Sequence, residues 1–179
     1  MTNTPDTLLA LGYEARKTKR LEDARRLFAQ AVELCRGTAD QALLARSLTG
    51  LAQIERDLIN NGHALRHYRE AANIYRNLPD PLRFAHTIRH VGDILRHEGS
   101  LEQARPCYEE ALAIYREHPE TADLELANAI RGFALLSADA GQTEQARTLW
   151  TEAGQLYSAA NVPAGVRESE AQIKRLAGS

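Results

Sequence analysis

The sequence predicts an all-α fold, a solenoid of four helix pairs closed by a ninth helix. Three observations carry this. Four segments match one another: RLEDARRLFAQAVELC from Arg20, NNGHALRHYREAANIY from Asn60, SLEQARPCYEEALAIY from Ser100 and QTEQARTLWTEAGQLY from Gln142, at intervals of 40, 40 and 42 residues. Inside each, a small residue (Ala24, Ala64, Ala104, Ala146) is followed four positions later by an aromatic (Phe28, Tyr68, Tyr108, Trp150) and three further on by another alanine (Ala31, Ala71, Ala111, Ala153). Steps of three and four are helical steps. Twelve positions before the first alanine stands a second small residue, Gly12, Ala52, Gly92 or Ala134, with Leu8, Leu48, Ile88 or Ile130 four before it. Small residues on two antiparallel helices let the backbones approach, and the aromatic fills the space beside them.

Taken in order, the pairs occupy residues 6–37, 40–78, 80–118 and 121–160 of one domain spanning 1–179. Gly62, Gly99 and Gly141 are expected to end the first helices in a left-handed turn, with Lys19 in the corresponding place of the first repeat. Asp80 before Pro81 reads as an N-cap with proline in the first turn, and Ser100 with Gln103 as a capping box. Pro106 conflicts with its helix, because it removes one backbone hydrogen bond and is expected to bend the chain. The segment 163–177 spaces Val166, Ile173 and Leu176 or Ala177 along one face, which makes it a helix that caps the last repeat.

These spacings resemble the tetratricopeptide repeat, whose helix-turn-helix signature carries a large residue, Leu-Gly, Tyr, Ala, Phe and Ala in this order. Segments such as LEQARPCYEEALAIY and the 40 to 42-residue period are most similar to kinesin light chain repeats. The sequence departs from the signature at Ala15, Glu55, Leu95 and Ser137, where an aromatic is usual, and at Arg36, Arg76, Arg116 and Ser158, where proline is. The resemblance implies a right-handed superhelix, a protein-binding function without catalysis, and a concave groove lined by the first helices.

Composition agrees with a soluble, folded, cytoplasmic chain. Apolar residues make up 44% and charged residues 26%, and 22 basic against 24 acidic residues leave a net charge of -2. That balance argues against nucleic acid or an anionic membrane as partner. Cys35 and Cys107, inside amphipathic patterns, read as two core residues in a reducing compartment. The opening residues lack the basic start and apolar stretch of a secretory signal.

Mapped onto the groove that the resemblance implies, the exposed positions include Arg16, Lys17, Arg46, Gln53, Arg56, His86, Arg89, Arg96, Asn128 and Arg131, with His90 beside them. Leu9 and Thr49 fall in the same set. This face is richer in cations than the chain as a whole. A guanidinium holds a carboxylate bidentately, so the expected partner is an extended, acidic polypeptide. Arg89, Asp93 and His97 stand four apart and could instead pair along one helix. The family's carboxylate-clamp arrangement is not matched, since Leu9, Tyr13 and Gly50 occupy three of its places.

Two alternatives remain: a self-associating module that forms homo-oligomers, and a regulator that binds a small ligand or metal through His86, His90 and His97. Histidines four apart can share a zinc ion, but one helix carries His86 and His97 ~16 Å apart while metal bonds span ~2 Å. No phosphate loop, nucleophile elbow, CxxC pair or HExxH occurs. The expectation is therefore no catalytic residue, no metal and no cofactor. Tyr75, Tyr115 and Tyr157 recur at one repeat position and read as packing residues.

Overall fold

The computed structural model describes residues 4–178 and places nine α-helices and no strand among them. They are α1 (Pro5–Lys17), α2 (Leu21–Arg36), α3 (Gln41–Asp57), α4 (Asn61–Tyr75), α5 (Pro81–His97), α6 (Leu101–Glu117), α7 (Asp123–Asp139), α8 (Thr143–Ala159) and α9 (Pro163–Ala177). The expected pairs are α1/α2, α3/α4, α5/α6 and α7/α8, and α9 lies over the residues expected to form the cap. The chain divides into two compact units within α5, the first ending at Thr87 and the second beginning at Ile88.

Within the first unit, α2 packs between α1 and α3. Phe28 is fully buried there, and its ring lies where a Cβ on Gly12 or Gly50 would stand, at 2.9 and 2.4 Å. Within the second, Tyr108 of α6 occupies the same role against Gly92 and Gly132, at 3.2 and 2.5 Å. α9 packs on α8, seating Gly165 on the Tyr157 ring and Ser169 against Gly154. In the first and third repeats the small residues thus make room for the ring at the repeat's aromatic position. Truncating such a ring leaves a cavity that costs ~3 to 5 kcal/mol.

Helix ends follow a rule that the sequence carries only in part. α1 and α3 start from side-chain caps, with Thr4 Oγ1 accepting from the Thr7 amide and Asp40 Oδ1 from the Leu43 amide. Asp80 Oδ1 accepts from the Arg83 amide as expected. Ser100 makes no side-chain cap bond, so the expected capping box is not formed. The second helices start instead from a shared turn. The amides of Arg20, Asn60, Ser100 and Gln142 bond back to the carbonyls of Ala15, Glu55, Leu95 and Ser137, while Lys19, Ile59, Gly99 and Gly141 bend the chain with φ of 61°, 64°, 75° and 74°.

This is the Schellman arrangement, in which a left-handed residue lets two late amides satisfy the last carbonyls. Gly62 was expected at that place. It lies in the first turn of α4, and Ile59 takes the left-handed position instead. The helix α6 runs through Pro106 from Leu101 to Glu117. Cys35 is buried as expected, but Cys107 is half-exposed, its thiol turned to the Gln103 carbonyl.

Candidate functional site on the first helices of the pairs

In the first unit, Arg16 ends α1 half-buried, and its Nε donates to Asp57 Oδ2 of α3 at 2.7 Å. Its NH1 donates to Gln53 Oε1 at 3.3 Å. The hydrogen bond to Asp57 raises the Arg16 pKa above its ordinary value, against the opposing effect of burial. Arg46 of α3 pairs with Asp6 of α1 at 3.6 Å. Arg56 and His86 are half-buried, and Lys17 is exposed. Leu9 and Thr49, expected in the groove, are buried at 1% and 8% exposure, the threonine hydroxyl donating to the Ala45 carbonyl.

In the second unit the expected exposure fails for two residues. Arg89 and His90 are 8% and 6% exposed and bind Asp93. Arg89 NH1 donates to Asp93 Oδ2 at 3.1 Å, and Arg89 NH2 lies 2.9 Å from His90 Nε2. A guanidinium only donates, so Nε2 accepts, and Nδ1 carries the proton it gives Asp93 at 3.2 Å. Tyr108 donates to the other carboxylate oxygen at 2.8 Å. Burial alone would push the Asp93 carboxyl up, but the His90 bond, the Arg89 charge and the Tyr108 bond hold it well below the usual carboxylate range.

The intrahelical pairing of Arg89 with Asp93 is thus the arrangement found, and it removes Arg89 and His90 from the accessible face. It also removes His90 from any metal stripe, because both ring nitrogens are engaged. Among the described residues no group of three or more His, Cys, Asp or Glu side chains is placed to hold a metal ion.

Arg96 reaches across to Asp139 of α7 at 2.8 Å, and Arg131 of α7 makes two bonds to Glu168 of α9 at 2.8 and 2.7 Å. Asn128 Oδ1 accepts from the Tyr157 hydroxyl at 2.9 Å. Tyr75, Tyr115 and Tyr157 are all buried to within 3%. Burial lifts the Tyr115 hydroxyl to about 12.

Sequence reasoning missed a cleft of about 440 Å³ at the end of α1, lined by Tyr13, Arg16, Lys17, Lys19, Leu21 and Asp57. Tyr13 is 42% exposed there, its ring edge-on to Phe28 with 5.0 Å between centroids. The signal was a tyrosine and two lysines spaced four and two apart at the close of a helix, which periodicity alone treats as solvated surface.

Helix pairs that repeat in register and offer a polar face of first helices define an α-helical repeat protein. A family model, Tetratricopeptide repeat, matches residues 3–77 and 83–159, and the chain belongs to that family. A comparison with curated proteins finds no match by sequence. Among solved structures, BtubC (BKLC) from P. vanneervenii superposes with a TM-score of 0.73 at 16% identity, over 97% of this chain and 79% of that one. Aspartyl phosphate phosphatase F from Bacillus subtilis gives 0.82 at 16% identity, over 95% of this chain. A signal transduction ATPase with a tetratricopeptide repeat sensor from Pyrococcus horikoshii gives 0.82 at 19% identity, over 94%. This chain spans 45% and 26% of the length of those last two, and the likeness is one of fold. No helix is long and apolar enough to cross a membrane among the described residues.

Proposed function

We propose that this protein is a scaffold whose first helices, in each unit, hold an extended and acidic segment of a protein partner. The supporting observation is that the cations on these helices are held in place before any ligand arrives. Arg16, Arg96 and Arg131 are oriented by Asp57, Asp139 and Glu168 from the next first helix or the cap. Exposed ion pairs are worth ~0 to 1 kcal/mol, so an incoming carboxylate displaces or shares such a partner at little cost. Prior orientation reduces the side-chain ordering that binding must otherwise impose. Binding in place of catalysis is supported by membership of a family built for contact.

The test is a peptide array of graded acid content, probed with wild type and with a Lys17→Glu/Arg46→Glu variant whose helicity is confirmed by circular dichroism. Wild type is expected to retain peptides in order of acid content, and the variant to lose that order. Retention independent of acid content in wild type would sink the acidic groove.

A further inference from the structure

We propose that the cleft at the end of α1 anchors the partner, taking an apolar side chain against Tyr13 and Leu21 and the adjoining carboxylates on Lys17 and Lys19. This rests on the protein-binding reading above and names where the segment is gripped and by what chemistry. The first argument is the distribution of cations. Of 22 basic residues only Lys17, Lys19 and Lys174 are lysines, so two of the three lysines line one cleft. Five arginines on the first helices already have an acid of the chain beside them, which a ligand must displace or share: Arg16 has Asp57, Arg46 has Asp6, Arg89 has Asp93, Arg96 has Asp139 and Arg131 has Glu168. The ammonium groups of Lys17 and Lys19 are exposed and have no partner among the described residues.

Charge complementarity sets the sign of the occupant. Three cations line the cleft against the single carboxylate of Asp57, which Arg16 already neutralises. A helix C-terminus would ordinarily repel an anion through its free carbonyls. Here the carbonyls of Glu14, Ala15 and Arg16 accept from the amides of Thr18, Arg20 and Lys19, and the Thr18 hydroxyl bonds to the first two as well. The left-handed turn that does this fixes the Lys19 backbone and sends its side chain from a rigid point.

The apolar wall argues for a polypeptide segment and against a bare anion. Tyr13 is held edge-on by Phe28 yet 42% exposed, and Leu21 of the same cleft is half-buried, so a small anion on the lysines leaves both uncovered. The cleft volume of about 440 Å³ accommodates one large side chain with its neighbours. Tyrosine supplies contact area at small entropic loss, and lysine is a mobile point charge that follows carboxylates of varied position.

The experiment titrates 15N-labelled full-length protein with a peptide of one leucine flanked by glutamates, following amide shifts. Its glutamine counterpart, an alanine-for-leucine counterpart and inorganic phosphate are run beside it. Saturable shifts of Tyr13, Lys17 and Lys19 are expected, with affinity falling about tenfold in Lys17→Gln/Lys19→Gln as two surface ion pairs are lost. The glutamine and alanine counterparts are expected to bind more weakly. Shifts confined to α3 or α7 and unchanged in the double variant would overturn the cleft and leave the scaffold reading standing. No binding anywhere overturns the cleft together with the acidic preference. Equal binding of the alanine peptide, or the same shifts from phosphate, overturns the apolar seat.

Discussion

Asp93 shows why residue type alone misleads about a binding face. On the sequence it is one polar position among Arg89, His90 and Arg96, and a stripe of such residues reads as solvent-facing. In the fold its carboxylate receives Arg89, His90 and Tyr108 together, and the surrounding residues close over the first two. Replacing Asp93 by asparagine strands a buried guanidinium, and since about a quarter of the Asp93 side chain stays exposed the loss belongs at the low end for a broken buried pair, ~3 kcal/mol. Its folded pKa is depressed, so this stability is fully present above the unfolded value of ~3.9 and is lost as pH falls below it. Urea melts of wild type and Asp93→Asn at pH 7 and at successively lower pH should therefore begin to converge below pH ~4 and close as pH falls towards the depressed folded value. A gap that persists unchanged would assign the stabilisation to something other than the Asp93 charge.

At the scale of the element, the helices were legible because spacing is a direct imprint of packing. Phe28, Tyr68, Tyr108 and Trp150 are all fully buried, and the alanines around them are too. Turns were less legible, because a left-handed residue need not be glycine when the flanking hydrogen bonds over-determine it. Lys19 and Asn161 adopt it, and so does Ile59, a β-branched residue with φ of 64° and 83% exposure. A left-handed conformation costs a non-glycine residue ~1 to 2 kcal/mol, partly offset in a comparison with glycine by the greater freedom of the unfolded chain. With so little packing to lose, Ile59→Gly is expected to stabilise the protein by ~0.5 to 1 kcal/mol, read as a rise in thermal midpoint. A fall in the midpoint would mean that the exposed isoleucine makes a contact that outweighs its backbone strain.

Across the whole molecule, the faces that neighbouring helices cover within each unit, and those they do not, show what the repeat leaves open. Leu51, Val91 and Phe133 share one register position and are 6%, 6% and 7% exposed, whereas Leu11 at the same position of α1 is 45% exposed. The sequence could not separate them, since all four are large and apolar; in the first unit α2 packs against the helix of Leu51, whereas no helix precedes that of Leu11 among the described residues. The groove residues were illegible for a related reason: whether Arg96 or Arg131 is free depends on Asp139 and Glu168, 43 and 37 positions away. At the other end α9 covers Tyr157 and Gly154, and its outward positions Arg167, Glu170 and Lys174 are exposed and charged. Removing α9 uncovers the α8 ring face and leaves Arg131 without Glu168, so an apolar patch replaces a polar end. Light scattering after size exclusion should find wild type at one mass at every concentration and a chain ending at residue 161 in growing oligomers, with a lower thermal midpoint. A truncated chain as monodisperse and as stable as wild type would show that α8 needs no cover, and α9 would then be a passenger on the stack and not its cap.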